Sequence, residues 1–168
     1  MPSTLVSTII LLHRKGISEA NLIKQVSWLG LNLLQRGVTL SGDQSNIPSE
    51  TTVKIALNHL EDYVTLKRNV IAPKVTIDED GTPDYSNYIM LGYYRNPINY
   101  IFFNESVVVC SLFSFGVDEI WQRGCDADEL FLKACYLAEL IKREEVLKDR
   151  ITYNDRSVFD QTLARMVD

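Results

Sequence analysis

Two histidines are the natural candidates for a general base in this chain, because imidazole titrates near neutral pH. His13 closes an apolar stretch, and His59 lies in a helical pattern beside Leu60 and Glu61. We interpret both as structural residues. The sequence also lacks the motifs GxSxG, GxxxxGK(S/T) and GxGxxG, which mark a nucleophile elbow, a phosphate-cradling loop and a dinucleotide-binding turn. The common classes of enzyme that depend on these motifs are therefore excluded.

The cysteines and carboxylates form no metal-binding pattern. Cys110, Cys125 and Cys135 contain no CxxC pair, and their odd number favours a reducing compartment. The acidic loop 78–81 combines carboxylates with a glycine that makes a sharp turn, as calcium loops do, but Asn87 stands where an EF-hand needs a bidentate glutamate. We interpret this loop as a solvated turn between strands and predict no metal site.

The segment from Leu91 to Phe103 places one cation among several aromatic side chains. Arg95 could stack on tyrosines or reach the last carbonyls of a helix, which would make this an anchoring corner. Alternatively, its planar fork of donors could bind a phosphate or a carboxylate. Asn96, which precedes Pro97, is suited to capping a helix that follows. We predict no catalytic and no cofactor-binding residue, and the candidates for a structural anchor are Tyr93, Tyr94, Arg95 and Asn96.

Composition and charge limit the class of protein. A chain of 168 residues with 46% hydrophobic and 23% charged residues can bury a core of its own, so we expect one folded domain or part of one. The net charge of -5 gives no electrostatic basis for binding a polyanion. Nucleic acid is excluded as a partner on this ground.

Neither a signal peptide nor a membrane span is predicted. No basic region precedes the first apolar stretch, which ends at His13. The stretch from Ile98 to Val117 is about as long as a bilayer requires, but Asn104 and Glu105 lie near its middle. We therefore predict a buried helix there.

Hydrophobic periodicity predicts three helices in the first 62 residues. The first covers Ser3 to Lys15 and stops at Gly16, the second is capped by Ser18 and ends before Gly37, and the third is capped by Ser49. A polar loop, residues 41–48, connects the second helix to the third.

Short β-branched runs predict a small sheet in the middle of the chain, followed by further helices. The expected fold class is α+β, mostly helical, with about five to six helices and a small antiparallel sheet or hairpins at roughly 63–92. The predicted strands are Val64–Leu66 and Val70–Ala72, which would form a hairpin, with Val75–Ile77 and Tyr88–Leu91. The predicted helices are Ile98–Phe115, broken by Gly116, then Asp126–Lys148 and a shorter one at Asp155–Met166.

The run Tyr93-Tyr94-Arg95-Asn96, followed by an apolar helix through Val107 to Leu112, resembles a segment that follows the catalytic domain in glycerol-3-phosphate and dihydroxyacetone-phosphate acyltransferases. Residues 1–16 resemble the helix that leaves the catalytic domain in that family, and Gly16 through Leu29 resemble the next one. The similarity covers roughly Met1 to Phe115 and identifies the chain as resembling the C-terminal region of the family.

The resemblance implies that this chain contains none of the family's catalytic residues. The family transfers an acyl group from a coenzyme A thioester to a glycerol-phosphate hydroxyl, with a histidine and an aspartate separated by four residues. Here His13 is followed at the fifth position by Ser18, and His59 by Val64. We therefore expect a fragment without the catalytic domain that is inactive alone, with no cofactor, acyl-CoA being a substrate of the parent family.

The favoured function is a non-catalytic C-terminal portion that scaffolds or regulates the acyltransferase domain in phospholipid and triacylglycerol synthesis. The implied partners are the catalytic domain in cis and, through the parent enzyme, a membrane surface. The implied location is intracellular, at mitochondrial, endoplasmic reticulum or peroxisomal membranes. The alternative is a free-standing helical protein-protein interaction module. The acceptor, glycerol 3-phosphate or dihydroxyacetone phosphate, stays open because its choice lies in the catalytic domain.

Overall fold

The computed structural model describes residues 1–40, 48–143 and 155–167, which form two compact units, Met1–Ile98 and Asn99–Asp168. The predicted fold class is confirmed, because the chain is mostly helical with a small antiparallel sheet. In the part of the chain that the structure describes there are eight helices rather than five or six.

The elements of the first unit alternate helices with short strands. They are α1 (Pro2–Leu12), β1 (Ile17–Ser18), α2 (Glu19–Gln35), α3 (Glu50–His59), β2 (Val64–Lys67), β3 (Val70–Pro73), β4 (Thr76–Ile77), β5 (Pro83–Asp84) and α4 (Ser86–Asn99), whose last residue reaches the second unit. The second unit contains α5 (Phe103–Phe113), α6 (Val117–Arg123), α7 (Ala127–Lys142) and α8 (Arg156–Val167).

Helix α1 is the centre of the first unit. Its apolar side chains from Leu5 to Leu11 are almost fully buried, only Leu12 at its end is exposed, and the helix packs against both α2 and α3. A helix that is apolar nearly all round is stable only when other elements surround it. The prediction of a short buried helix is therefore confirmed, and the residues that carry this burial are Leu5, Val6, Ile9 and Ile10.

The next two helices begin at the predicted caps. Ser18 accepts a hydrogen bond from the backbone N–H of Asn21 at 3.4 Å, and Ser49 accepts one from Thr52 at 3.3 Å. Each bond satisfies one of the N–H groups that a helix start leaves without a partner. The three predicted helices are confirmed, while residues 41–47 of the predicted polar loop lie outside the described residues.

The central hairpin of the first unit is also as predicted. Strands β2 and β3 pair antiparallel through a tight turn in which Arg68 and Asn69 both adopt positive φ values, of 50° and 64°. The structure adds β1 to this sheet, where Ile17 lies opposite Ile71. A strand of two residues has too little pattern to be detected in the sequence, since alternation needs at least four positions.

The acidic loop 78–81 lies between β4 and β5, as predicted for a solvated turn between strands. Its tight geometry comes from two backbone bonds, from Gly81 N–H to the Asp78 carbonyl and from Asp78 N–H to the Thr82 carbonyl, both 2.9 Å. The returning strand, however, is Pro83–Asp84.

Helix α4 corrects three predictions. Tyr88–Leu91 was predicted as a strand but lies inside this helix. Asn96 does not cap a following helix, because Pro97 lies within α4 near its end and the helix continues to Asn99. The predicted helix Ile98–Phe115 is accordingly divided by a turn at residues 100–102. An apolar run of four residues does not distinguish a strand from a helix, and the surrounding helix decides the conformation.

The second unit is built around the contact of α5 with α7, with α8 packed on α5. Gly116, at φ 88°, breaks the chain as predicted and caps α6, a helix that the sequence analysis missed. Helix α8 confirms the predicted helix at Asp155–Met166. Helix α7 ends at Lys142, and residues 144–148 of the prediction fall outside the described residues. The core consists of Val107, Val108, Leu130, Ala134, Ala138 and Phe159.

Within the described segments, every helix is too short or too polar to cross a lipid bilayer. The Ile98–Val117 stretch, which has the length of a span in the sequence, is divided among the end of α4, a turn, α5, a second turn and the first residue of α6.

Candidate functional site

The four anchor candidates follow one another in the second half of α4, so they point in different directions around the helix. Tyr94 is half-buried, and its ring lies 6.0 Å from the ring of Tyr63 and 6.2 Å from that of Tyr93. Tyr93 itself is 70% exposed, and Asn96 is exposed as well. The two tyrosine rings thus form a cluster with Tyr63 at the start of the hairpin, and the exposed Asn96 does not belong to this cluster.

Arg95 is half-buried and faces a different environment from its neighbours. Its Nε is buried and has no hydrogen-bond partner among the described residues. Arg95 lines a cavity of about 410 Å³ that is also bordered by Arg14, in the turn that follows α1. The remaining lining residues are Leu11, Tyr85, Tyr88 and Gly92.

Two contacts fix the segment that carries this cavity. The Asp84 carboxylate accepts hydrogen bonds from the backbone N–H of Ser86 at 2.8 Å and from its hydroxyl at 2.7 Å, which satisfies the start of α4. These bonds lower the pKa of Asp84, the side-chain bond from Ser86 having the largest effect. The Asn87 side chain donates to the Lys74 carbonyl at 3.0 Å and so ties the same turn to the strand region.

The sequence analysis did not connect Arg14, Tyr85 or Tyr88 with Arg95. Tyr88 and Arg95 are separated by about two helical turns, a spacing that a helix at this place would have indicated, but the segment was assigned to a strand. Arg14 is remote in the sequence, and only the packing of the unit brings it to the same cavity.

Neither histidine has the surroundings of a catalytic base. His13 Nε2 and Gln25 Oε1 are 2.8 Å apart, so this imidazole is paired with an amide rather than a carboxylate. His59 is exposed in the last turn of α3. The interpretation of both as structural residues stays a prediction.

Cysteines and acidic residues also form no assembled site in the segments that the structure describes. None of the three cysteines forms a disulfide in those segments, and no group of three His, Cys, Asp or Glu side chains there could hold a metal ion. Burial raises the pKa of the Cys135 thiol, which makes it a poorer nucleophile.

Comparison with known proteins identifies the chain. No curated protein matches it. A family model described as the glycerol-3-phosphate acyltransferase C-terminal region matches residues 1–168, so the similarity extends past Phe115 through the whole second unit. The chain therefore belongs to the glycerol-3-phosphate acyltransferase C-terminal region family.

Proposed function

We propose that this chain is a non-catalytic C-terminal portion of a glycerol-3-phosphate acyltransferase that holds or regulates the acyltransferase domain. The observation that carries the proposal is the family match over the whole of residues 1–168. In this proposal the partner is the catalytic domain in cis, and the complete enzyme acts in acyl-CoA-dependent glycerolipid synthesis at a membrane surface.

The surroundings of the histidines support a non-catalytic role. A general base must reach the proton that it removes and is usually oriented by a carboxylate. His13 is paired with Gln25, and His59 is exposed at a helix end. Neither is followed by an aspartate after four intervening residues. The base for acyl transfer would therefore come from the catalytic domain.

An exposed apolar strip on α4 supports a docking role. Ile89, Tyr93 and Pro97 follow at intervals of four residues and so share one face of the helix, and we call these three residues the α4 strip. Ile89 is 74% exposed and Tyr93 is 70% exposed. The opposite face is already buried through Leu91 and Ile98. Adjacent exposed apolar side chains are typical of surfaces that contact another protein, and the catalytic domain is the partner that the family suggests.

The test is a substitution within the α4 strip with a matched control. Ile89→Lys places a charge on the strip, and Ile77→Lys makes the same change in β4, at a side chain that is 75% exposed. We expect Ile89→Lys to weaken binding of a separately produced acyltransferase domain by about tenfold or more, because a lysine would have to be desolvated in the contact. Ile77→Lys should leave the affinity unchanged.

Acyl-transfer assays complete this test. The acyltransferase domain should be more active or more stable with the chain than without it, and the chain alone should transfer no acyl group. Turnover by the isolated chain, or equal effects of Ile89→Lys and Ile77→Lys, would contradict the proposal. A chain that fails to bind the acyltransferase domain and captures another protein through the α4 strip would instead fit the free-standing interaction module.

A further inference from the structure

The cavity beside α4 combines two cations with two phenol groups. Arg14 and Arg95 both line it, together with Tyr85 and Tyr88, and none of the described lining residues is a carboxylate. Two guanidinium groups at one cavity repel each other unless an anion lies between them or water screens them. The arrangement therefore favours a negatively charged ligand.

The local structure explains how these groups meet. Tyr88, Gly92 and Arg95 lie at positions i, i+4 and i+7 of α4 and so face the same side. The Tyr85 ring packs edge-on against the Tyr88 ring, with 5.7 Å between their centres. Arg14 follows α1 in a turn that is closed by a bond from the Gly16 N–H to the His13 carbonyl, 2.8 Å. The side that lines the cavity is thus supported by regular structure and a hydrogen-bonded turn.

Arg95 has unused hydrogen-bonding capacity. Its Nε is buried without a hydrogen-bond partner in the described part of the chain, although nearly all buried polar groups in proteins have one. A guanidinium has five donors, and a ligand oxygen at this cavity could accept from it. A buried polar atom without a partner calls for an explanation, and a ligand bound at the adjacent cavity supplies one.

The chemistry of the donors selects the ligand. A guanidinium matches the spacing of two phosphate oxygens and binds them as a fork, and tyrosine hydroxyls add single donors. A phosphate monoester presents three outer oxygens and about two negative charges, which suits two arginines better than one carboxylate does. The volume of about 410 Å³ leaves room for an organic substituent beside the phosphate.

We propose that the cavity lined by Arg14, Arg95, Tyr85 and Tyr88 binds the phosphate group of a phosphate monoester. This site would lie in the C-terminal chain itself. It does not depend on the proposed docking role, because binding is measured on the isolated chain. The same phosphate chemistry is available from a soluble ester and from a lipid headgroup, and the experiment separates the two sources.

The experiment uses the whole chain and three probes. Calorimetric titrations with inorganic phosphate and glycerol 3-phosphate test the soluble source. Sedimentation with phosphatidylcholine vesicles, with and without phosphatidic acid, tests the headgroup. Succinate serves as a dicarboxylate of similar charge. We expect saturable binding of glycerol 3-phosphate, of phosphatidic acid vesicles, or of both, and weaker binding of succinate.

Two variants test the cavity, one by removing a charge and the other by filling its volume. Arg95→Gln removes one guanidinium and should weaken binding about tenfold or more, as expected for a charge-assisted contact. Gly92→Leu fills the cavity without removing charge. A Cβ at Gly92 would meet no atom within 4 Å, and leucine is a better helix former than glycine, so this variant should fold. It should reduce binding by a similar factor.

The matched control is Arg68→Gln, which removes the same charge from an exposed turn of the same unit. Its effect should stay within about twofold, because Arg68 does not line the cavity and salt screens exposed charges. Circular dichroism melting checks that each variant is folded, and if Arg95→Gln is not, Gly92→Leu decides. The proposal is overturned if no phosphate probe binds, if succinate binds as tightly as glycerol 3-phosphate, or if Gly92→Leu binds like the unchanged chain.

Discussion

Replacement of Phe159 by alanine should unfold much of the second unit. Phe159 is the largest buried side chain of this unit, with no exposed surface, and it comes from α8 into a core shared with α5 and α7. Its ring lies 5.2 Å from the ring of Phe131, with 65° between the planes. Alanine would leave a cavity where α8 meets the rest of the core.

The size of the effect follows from this burial. Substitution of a buried phenylalanine by alanine costs about 3–5 kcal/mol, and loss of the edge contact with Phe131 belongs to that cost. A unit of this size has a total stability of roughly 3–10 kcal/mol. The ion pair from Arg156 to Asp128 at 2.6 Å is exposed, and exposed ion pairs stabilise a fold only slightly, so it cannot hold α8 in place of the core.

Hydrogen exchange measured by mass spectrometry tests this prediction. Amides of α7 should exchange faster in Phe159→Ala, by the factor that corresponds to the lost free energy of unfolding. The matched control is Phe113→Ala in α5, whose side chain is 64% exposed and whose loss should cost less than about 0.5 kcal/mol. Equal exchange of α7 in Phe159→Ala and the unchanged chain would refute the packing argument.

Two further predictions concern single polar groups. The Ser7 hydroxyl is buried in α1 without a partner among the described residues, so Ser7→Ala should raise the free energy of unfolding by about 1 kcal/mol in urea denaturation. Hydrogen bonds from Ser86 and Thr76 lower the pKa of Asp84. Its carboxylate therefore stabilises the fold above the ordinary pKa of about 4 and loses this contribution as the pH falls through the lowered value. Asp84→Asn should flatten the decline in stability below about pH 4, as measured by urea unfolding at several pH values.

Each of these predictions has a matched control. Ser111 is also buried in a helix, but its hydroxyl donates to the Val107 carbonyl at 2.8 Å, so Ser111→Ala should not stabilise. A similar gain from both serine variants would show that helix propensity, rather than the unpaired hydroxyl, is the cause. For Asp84 the control is Asp80→Asn in the exposed loop of the same hairpin. An equal change in acid stability for both variants would contradict the role of the Ser86 contacts.

The first three helices, α1, α2 and α3, could be predicted because two independent local signals agree in each. In α2, for example, the apolar positions Leu22, Val26, Leu29 and Leu33 recur at helical spacing, and Ser18 supplies a cap at the right place. All four of these apolar residues are buried. The secondary structure of such segments can be predicted because local propensity and long-range packing favour the same conformation.

The helical conformation of α4 could not be predicted because the local sequence signals in this segment conflict. Tyr88 to Leu91 favours a strand by composition, and Pro97 favours a break before it. The contacts of Tyr94 with Tyr63 and the burial of Leu91 hold the segment as a helix, and these contacts come from remote parts of the chain. The cavity depends on the same packing, so Arg14 and Arg95 could not be paired from the sequence.

The pairing of β1 with β3 has a consequence for how the first unit assembles. During synthesis, Ile17 leaves the ribosome long before Ile71, its partner in the sheet. Helices α1 and α2 can form from neighbouring residues, but the sheet has to wait for the hairpin and then close a long loop at an entropic cost. The sheet is therefore expected to be a late step, and until then β1 presents an unpaired backbone edge to which other chains or a chaperone could bind.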